Sequence, residues 1–364
     1  PRISKLLPGG VTLAQFIEKK YGTFAQKIVS IVAIIYMSAF LIAEFASISF
    51  LFESISDVSG IVVSSLVAAT TFLYLNKSGF KASYLTDKIQ GVGIILLLTL
   101  LFGLWFGQNS FDEITNFANL GGLSTFETYS LKSALAVVIA VTAAEIFSTG
   151  YWQRTFSAVD ETTIKKASIY SGLGVFITIL LLGVAGAVGA GKGLETPTLS
   201  FIDQLSLNSL TVLVLISLAT LLVTSSVDTL ENAISSTISI DIVKKGSKEA
   251  NNITLAVVVL ALFASTRVTN IFTVFLVADL FATSLVFPAF FKIKKASKNV
   301  VLVIPFIGSL VSVFLYRYLF IDLQENPGGL FVPTDLYGLA DLNTFAVALL
   351  SSMVFTLVMD KFNK

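Results

Sequence analysis

Ten apolar segments, each set off from the next by polar residues, divide the chain. A helix needs about 20 apolar residues to cross a bilayer. The hydrocarbon offers no water to the backbone, so spans of this kind must be helices. The sequence therefore predicts an all-α membrane protein with about ten transmembrane helices, forming one transmembrane domain over residues 1–364. The segments are 24–52, 59–76, 88–107, 131–153, 167–191, 207–243, 252–266, 269–291, 300–320 and 343–360.

The basic residues alternate with these segments in a way that predicts the orientation. If the amino terminus is cytoplasmic, all but four of the 24 Lys and Arg residues lie on the cytoplasmic side or at the cytoplasmic ends of spans. Such an excess of positive charge marks the inside of a membrane protein. We therefore expect an integral protein of the plasma (inner) membrane with both ends cytoplasmic. The exceptions are Lys132, Lys192, Arg267 and Arg317.

The composition excludes several kinds of chemistry. The chain has no Cys and no His, which removes thiol chemistry and the usual general base and transition-metal ligand. A net charge of +1 gives no reason to expect a nucleic-acid partner. We therefore predict that the chain is not an enzyme. The one enzymatic alternative is an intramembrane aspartyl type, with Asp228 and Asp279 as the pair to examine.

A polar face inside the sixth segment is the strongest functional signal. Polar groups are costly in hydrocarbon unless they face a partner, water or an ion. Oxygen ligands on one helix face suit a small hard cation, although a polar seam between helices is the simpler alternative. At 100° per residue, the face holds Ser225, Asp228, Thr229, Asn232, Ser236 and Ser239.

Five acids lie within the segments, with almost no base there to pair with them: Glu44, Glu145, Asp228, Glu231 and Asp279. Protonation, water or a bound cation relieves the cost of such a carboxylate. For Glu44 and Glu231, a position near the membrane interface is an equal alternative. An excess of intramembrane acid is what a cation-coupled transporter requires.

Residues 141–154 combine Glu145, Ser148, Thr149 and a glycine at a depth that should be apolar. A discontinuous helix lining a cavity would explain this pattern, whereas a continuous helix with a polar inner face is the alternative. Tyr151 and Trp152, which follow directly, are interpreted as an interfacial aromatic anchor without a role in binding.

Two further local patterns are structural. Residues 1–23 contain a short amphipathic helix, with Thr12 as N-cap and Gln15 at the capping-box position, expected at the cytoplasmic interface. Gly183, Gly186 and Gly189 in the fifth segment are expected to permit close helix packing.

Four ordered landmarks resemble the sodium:solute symporter family, which has the five-helix inverted-repeat fold of the leucine transporter. One of these landmarks, at residues 151–158, begins with Tyr-Trp and in this form is similar to the urea/polyamine branch of the family. The landmarks are TLAQFIEKKYG (12–22), GFKASYLTDKIQ (79–90), YWQRTFSA (151–158) and SSVDTL (225–230) followed by Asp241-Ile242.

The resemblance implies an architecture. Residues 24–107 correspond to the last three helices of repeat one, 131–291 to repeat two, and 300–360 to two extra C-terminal helices. The first two core helices of the family precede the first landmark, so the resemblance implies an N-terminally truncated chain with only half of the ion site.

The resemblance also implies site residues. Ser225 and Ser226, with the carbonyl of Leu222, match the common sodium site. Asp228, Thr229 and Asp87 match a second cation site found in some members. Glu145, Ser148 and Thr149 fall in the region that lines the substrate pocket.

These roles imply sodium-coupled symport of a small polar organic solute by alternating access, with sodium, the solute and the lipid bilayer as partners. Two alternatives remain open. A proton-coupled carrier of the same fold would titrate Asp228, Asp87 or Glu145 in place of binding sodium. A transporter-like sensor domain would feed a cytoplasmic signalling module.

Overall fold

The computed structural model describes residues 2–125, 127–194, 199–244, 247–292, 297–322 and 328–362, apart from the side chains of residues 2, 4, 76–85 and 247. Pro1 and Lys364 lie outside the described residues. The described chain is built of helices: α1 (Arg2–Leu6), α2 (Leu13–Tyr21), α3 (Thr23–Ile55), α4 (Gly60–Gln108), α5 (Phe111–Leu120), α6 (Thr128–Ala144), α7 (Thr149–Ser157), α8 (Glu161–Gly191), α9 (Ser200–Asp203), α10 (Ser209–Thr237), α11 (Ser247–Ser265), α12 (Ile271–Phe290), α13 (Val300–Phe320) and α14 (Leu342–Phe362).

The apolar segments predicted from the sequence all fall in helices. Within the described residues, nine helical stretches are long and apolar enough to cross a membrane, and Gly60–Leu75 is a shorter apolar helix. One boundary prediction was wrong, since segments 59–76 and 88–107 belong to the single continuous helix α4. Residues 76–87 contain no proline and only one glycine, so polarity separates the two apolar stretches without ending the helix.

The helices form two compact units, and the division falls inside α3 and inside α10. The first unit comprises Pro1–Ala43, Thr128–Ser157 and Thr229–Lys364. Here α6, α12, α13 and α14 pack on one another around small and aromatic side chains such as Ala136, Ala140 and Phe345. Small residues let membrane helices approach closely, which is the main source of packing energy when lipid competes for apolar contact.

The second unit comprises Glu44–Glu127 and Ala158–Asp228. Its tightest packing is between α5 and α8, where a Cβ on Gly121 would lie 1.9 Å from the carbonyl oxygen of Ala187. A Cβ on Gly191 would lie equally close, 1.9 Å, to the carbonyl oxygen of Phe117. The close packing predicted for α8 is therefore made by Gly191, together with Gly189 against Ser200.

Gly183 and Gly186, also predicted to permit close packing, do not do so. A Cβ on either residue would meet no atom within 4 Å among the described residues. Glycine spacing alone identified the helix but not the face that packs.

Gly191→Ala is expected to destabilise the protein by about 1–3 kcal/mol or more, because the new methyl would force the backbones of α5 and α8 apart. Gly183→Ala is the matched control in the same helix. It should be neutral or stabilising, since glycine inside a helix costs about 0.5–1 kcal/mol relative to alanine. Thermal unfolding in detergent micelles compares the two variants, and equal midpoints would contradict this account of the α5–α8 contact.

Helix α2 is a capped amphipathic helix that packs against the end of α12. The predicted capping box is confirmed, with the Gln15 amide donating to Thr12 Oγ1 at 3.2 Å. At its other end, the Tyr21 hydroxyl donates to the carbonyl of Pro288 at 2.7 Å, and Lys20 Nζ donates to the carbonyls of Ala289 and Phe291. Burial lowers the pKa of Lys20 to about 8. Helix α2 therefore caps the carbonyl end of α12.

Candidate transport site

The helix that contains Glu145 is broken, as predicted. Helix α6 ends at Ala144, residues Glu145–Phe147 form one 3₁₀ turn, and α7 begins at Thr149. Ser148 between them has an extended backbone (φ −68°, ψ 109°). Unwound backbone within a membrane segment is tolerated where protein or a cavity surrounds it. The break therefore places the Glu145 carboxylate beside irregular backbone in the first unit.

Glu145 lies at the centre of a cluster of ionisable side chains. The hydroxyls of Tyr36 in α3 and Tyr151 in α7 both interact with its carboxylate through side-chain hydrogen bonds. The carboxyl of Asp279 in α12 is near enough for its charge to act on Glu145 and on Tyr36. Tyr36 is 2% exposed and Asp279 is 3% exposed. Within the described part of the chain, Glu145 and Asp279 are not paired with any lysine or arginine.

Aromatic rings line the same place. Phe40 lies one helical turn beyond Tyr36, with 4.8 Å between the ring centroids. The ring of Phe275 lies 4.5 Å from that of Phe40, and Phe275 shares a face of α12 with Asp279, four residues further on. We call these residues with Glu145 the acid–aromatic cluster: Tyr36, Phe40, Glu145, Phe275 and Asp279.

The acid–aromatic cluster suits a ligand that is both cationic and apolar. Two neighbouring carboxylates in a low-dielectric site repel each other, and a cation bound between them relieves that repulsion. Aromatic faces attract ammonium groups and also contact methylene chains. The Tyr36 and Tyr151 hydroxyls hold the Glu145 carboxylate in place by donating to it.

The other predicted pocket residues have different surroundings. Thr149 is buried, and its hydroxyl lies 2.8 Å from that of Thr237, so it joins α7 to α10. Ser148 is half-buried at the break. The Tyr151 hydroxyl interacts with Glu145 while the side chain is 57% exposed, so its interpretation as an interfacial anchor stays a prediction. Trp152 donates from its indole nitrogen to the carbonyl of Ile146 at 2.6 Å and so stabilises the break.

The predicted sodium residues lie in the second unit. Leu222, Ser225 and Ser226 are half-buried in α10, and Ser226 forms a side-chain hydrogen bond with Glu44 of α3. A carboxylate beside a hydroxyl pair adds the negative charge and the oxygen ligands that a small cation prefers. Glu44 therefore joins this group of residues, and its depth in the membrane stays a prediction.

Asp228, predicted for a second cation site, is fully buried in the second unit. Its Oδ2 accepts from the Tyr74 hydroxyl at 2.5 Å and from the Thr86 hydroxyl at 2.8 Å, both in α4. Asp87 follows Thr86 directly and is half-buried. The hydroxyl of Thr229 accepts from Arg154 Nη2 at 3.1 Å within the first unit, and the assignment of Thr229 to a second cation site stays a prediction.

The polar face of α10 lies against protein, as expected of a functional or packed surface. None of its six residues is exposed, and Asn232 donates to Gln153 Oε1 at 3.0 Å.

The sequence did not identify Tyr36, Phe40 or Phe275 as site residues. Aromatic side chains in apolar helices carry no local signal that separates a binding wall from a lipid contact.

Broken and continuous apolar helices that carry buried carboxylates define a membrane transporter fold, and comparison with known proteins agrees. No family model matches the chain. The "Spermidine transporter DUR31" of Candida albicans is 22% identical over an alignment 376 residues long including gaps, which covers 98% of this chain and 71% of that protein.

Among solved structures, the fold matches a Na⁺-coupled sialic acid symporter in its substrate-bound outward-open state. The TM-score is 0.69 and the identity is 14%, with 100% of this chain and 79% of that chain covered. The fold class predicted from the sequence, an all-α membrane protein of about ten helices with transporter architecture, is confirmed by this match. Membership of the sodium:solute symporter family stays a prediction.

Proposed function

We propose that this chain is the transport domain of a sodium-coupled carrier for small aliphatic amines with one or more positive charges. The observation that carries the proposal is the acid–aromatic cluster, in which Glu145 and Asp279 interact without a basic partner among the described residues. The relative named as a spermidine transporter supports this substrate class, and the structural likeness to a Na⁺-coupled symporter supports the coupling ion.

Each group in the cluster has a defined role in binding an amine. The two carboxylates accept hydrogen bonds from ammonium groups, and such charge-assisted bonds are about twice as strong as neutral ones. Phe40 and Phe275 contact the methylene chain between those groups. Tyr36 fixes the Glu145 carboxylate, so a substrate binds without first reorganising the site. Because the two carboxylates repel each other when no ligand is bound, the site favours a dication over a monocation.

Sodium binds, in this proposal, at Ser225 and Ser226 with the carbonyl of Leu222, and Glu44 supplies the carboxylate nearest to Ser226. Asp228 and Asp87 are candidates for a second cation. Coupling between ion and amine is reciprocal, so sodium must raise amine affinity by the factor by which the amine raises sodium affinity. We place both ends of the chain in the cytoplasm, as the charge distribution predicts, and we assign no enzymatic reaction.

Uptake of radiolabelled spermidine into proteoliposomes tests the coupling, with the gene product that contains residues 1–364 as the protein. An inward Na⁺ gradient should drive accumulation, whereas choline at the same ionic strength should not. Ser226→Ala should raise the half-saturating Na⁺ concentration about tenfold, since losing one charge-assisted contact costs roughly 1.5 kcal/mol.

The matched control for this test is Ser217→Ala in the same helix. Ser217 is exposed, and its hydroxyl donates only to the Leu213 carbonyl of its own helix at 2.8 Å. This variant should retain the wild-type Na⁺ dependence. Equal uptake in Na⁺ and choline would exclude sodium coupling. Uptake driven by a proton gradient and unaffected by Ser226→Ala would instead favour the proton-coupled carrier.

A further inference from the structure

A further buried acid lies in the first unit, where α10 continues into a π-helical turn, Ile238–Val243. Asp241 in that turn is 0% exposed. The turn ends at Lys244, which adopts a left-handed backbone (φ 52°). Two segments near the start of the chain cover Asp241: the N-cap of α2 and the first turns of α3.

One carboxyl oxygen of Asp241 accepts two hydrogen bonds. Its Oδ1 accepts from the Thr12 hydroxyl at 3.0 Å and from Gln26 Nε2 at 2.9 Å, whereas the Ser30 hydroxyl donates to the backbone carbonyl of Gln26 at 2.9 Å. The N-cap residue of α2 is thereby tied to the end of α10. This contact joins chain positions 229 residues apart.

The other oxygen has no donor. Among the described residues, Asp241 Oδ2 and Gln26 Oε1 are both fully buried and neither has a hydrogen-bond partner. Both atoms are acceptors when the carboxyl is ionised, and they belong to two side chains that already touch through Oδ1 and Nε2. Leaving two such acceptors unsatisfied costs about 1–3 kcal/mol each.

We propose that Asp241 is a proton-binding site and that it is neutral in the folded protein, donating a hydrogen bond from Oδ2 to Gln26 Oε1. A carboxylic acid and a primary amide can form two antiparallel hydrogen bonds, and this pairing satisfies all four polar atoms. It also removes an ionic charge from a position with no exposure to water. The site is separate from the residues assigned to sodium and to the amine.

The charges around the site do not neutralise an ionised Asp241. Glu18 of α2 is the charged group that acts on it, and Glu18 is itself paired with Lys244 at 2.6 Å. Lys20 of α2 is directed to the carbonyl end of α12. Loss of the proton would therefore place an uncompensated charge at the junction of α2 with α10 and weaken that junction. Protonated Asp241 would thus stabilise the contact between α2 and the end of α10, and loss of the proton would weaken that contact.

Asp241→Asn tests the proposal, because asparagine copies the neutral acid. Its Oδ1 can accept the same bonds, and its Nδ2 can donate to Gln26 Oε1. In infrared difference spectra of the purified gene product at about pH 5, above the ordinary pKa of an aspartate, we expect a protonated-carboxyl band that disappears in Asp241→Asn. The melting temperature of the variant should stay within about 2 °C of the wild type.

The pH dependence should differ between the two proteins. A proton bound by the folded state and released by the unfolded chain makes stability fall as pH rises. Wild type should show this fall from about pH 4, where an aspartate of the unfolded chain loses its proton, up to the pH at which folded Asp241 loses its own, and Asp241→Asn should show a smaller one. Asp160→Asn is the control: Asp160 is exposed, hydrogen bonds from Thr163 lower its pKa, and asparagine serves equally well as an N-cap. It should leave the band in place, and stability should still fall as pH rises, because the lowered pKa of Asp160 acts on stability in the opposite direction.

Gln26→Leu provides a second variant, in which the band should persist but move to higher frequency because the acid loses its acceptor. Three outcomes would overturn the proposal. The first is the absence of an Asp241-dependent band, which would indicate an ionised carboxylate satisfied by water. The second is failure of Asp241→Asn to fold. The third is a stabilisation by Na⁺, relative to choline, that Asp241→Asn abolishes, which would assign the site to a cation.

Discussion

Glu145→Gln is expected to lower spermidine uptake roughly 30- to 4000-fold under a fixed Na⁺ gradient. Glutamine keeps the shape of the side chain and can still accept from Tyr36 and Tyr151, so the break between α6 and α7 should survive. Only the charge is removed. Truncating one partner of a buried charge pair costs about 2–5 kcal/mol, and each 1.4 kcal/mol is a factor of ten in affinity. Proteoliposome uptake at subsaturating spermidine measures the effect.

Asp279→Asn should act in the same direction, with a larger loss for a diamine than for a monoamine, because the second carboxylate binds the second ammonium group. Glu249→Gln is the matched control, since Glu249 is exposed in the first turn of α11. It should transport like wild type. Retained uptake in Glu145→Gln would contradict the amine site, as would equal uptake of a neutral analogue by wild type.

The amine site and the sodium site can fail independently in these assays. A variant that loses amine binding should still show Na⁺-dependent protection of α10 from labelling or proteolysis. A variant that loses sodium binding, such as Ser226→Ala, should recover at high Na⁺ concentration. Glu145→Gln and Ser226→Ala could both change only the Na⁺ concentration needed for uptake and leave the spermidine affinity unchanged. That result would contradict the proposed amine substrate and support the proposed sodium coupling.

The sequence predicted the features that depend on short stretches of chain. Apolar length marked the helices, and the combination of Glu145, Ser148 and Thr149 with glycine marked the break, because polar residues at membrane depth need a local reason. The capping box at Thr12 and Gln15 was read from four residues. In each case the interacting groups are close in sequence, so no tertiary information was needed.

The acid–aromatic cluster required tertiary packing that no local pattern encodes. Tyr36 and Phe40 come from α3, Glu145 from the break, and Phe275 and Asp279 from α12, so more than a hundred residues separate each contributing segment from the next. Asp279 was noted as an intramembrane acid, but its electrostatic partner proved to be Glu145. A helical wheel shows which residues share a face and not which face meets another helix.

Asp241 belongs to the fourth landmark, but the sequence predicts no site for it, and the reason is a different one. The polar face of α10 was projected at 100° per residue and ended at Ser239. A π-helical turn begins at Ile238, and its wider spacing rotates the following side chains away from that projection. Asp241 therefore faces Thr12 and Gln26, which the wheel could not show. Such turns are rare and have no clear sequence signature.

Arg317 was counted only as an exception to the charge distribution, yet it is fully buried in α13. Its guanidinium donates to the carbonyls of Gly329, Val332 and Thr334, the last two at 2.7 and 3.1 Å. It also donates to the Thr344 hydroxyl at 2.6 Å and lies 3.5 Å from Asp341 Oδ2. Its partners are mostly backbone atoms of an irregular connection, and side-chain patterns cannot predict such partners.

Arg317→Met is expected to destabilise the protein by about 3–5 kcal/mol, the range for breaking a buried ionic network. The methionine would fill much of the volume, but three buried carbonyls would lose their donors and Asp341 would lose its counter-charge. Arg317→Lys should recover only part of the loss, because an ammonium group cannot supply the planar fork of donors that reaches these oxygens together. Denaturant unfolding in mixed micelles measures the free energies of unfolding.

The matched control is Arg267→Met. Arg267 is a second exception to the charge distribution, but it is exposed, and its guanidinium lies 5.9 Å from the ring of Phe263. An exposed cation–π contact is worth about 0.5–1 kcal/mol, so this variant should lose no more than that. If both variants were equally stable, the buried hydrogen bonds of Arg317 would contribute nothing to stability. The connection between α13 and α14 would then be held by its own turns and by Ser133, whose hydroxyl accepts from the Ala340 amide at 3.1 Å.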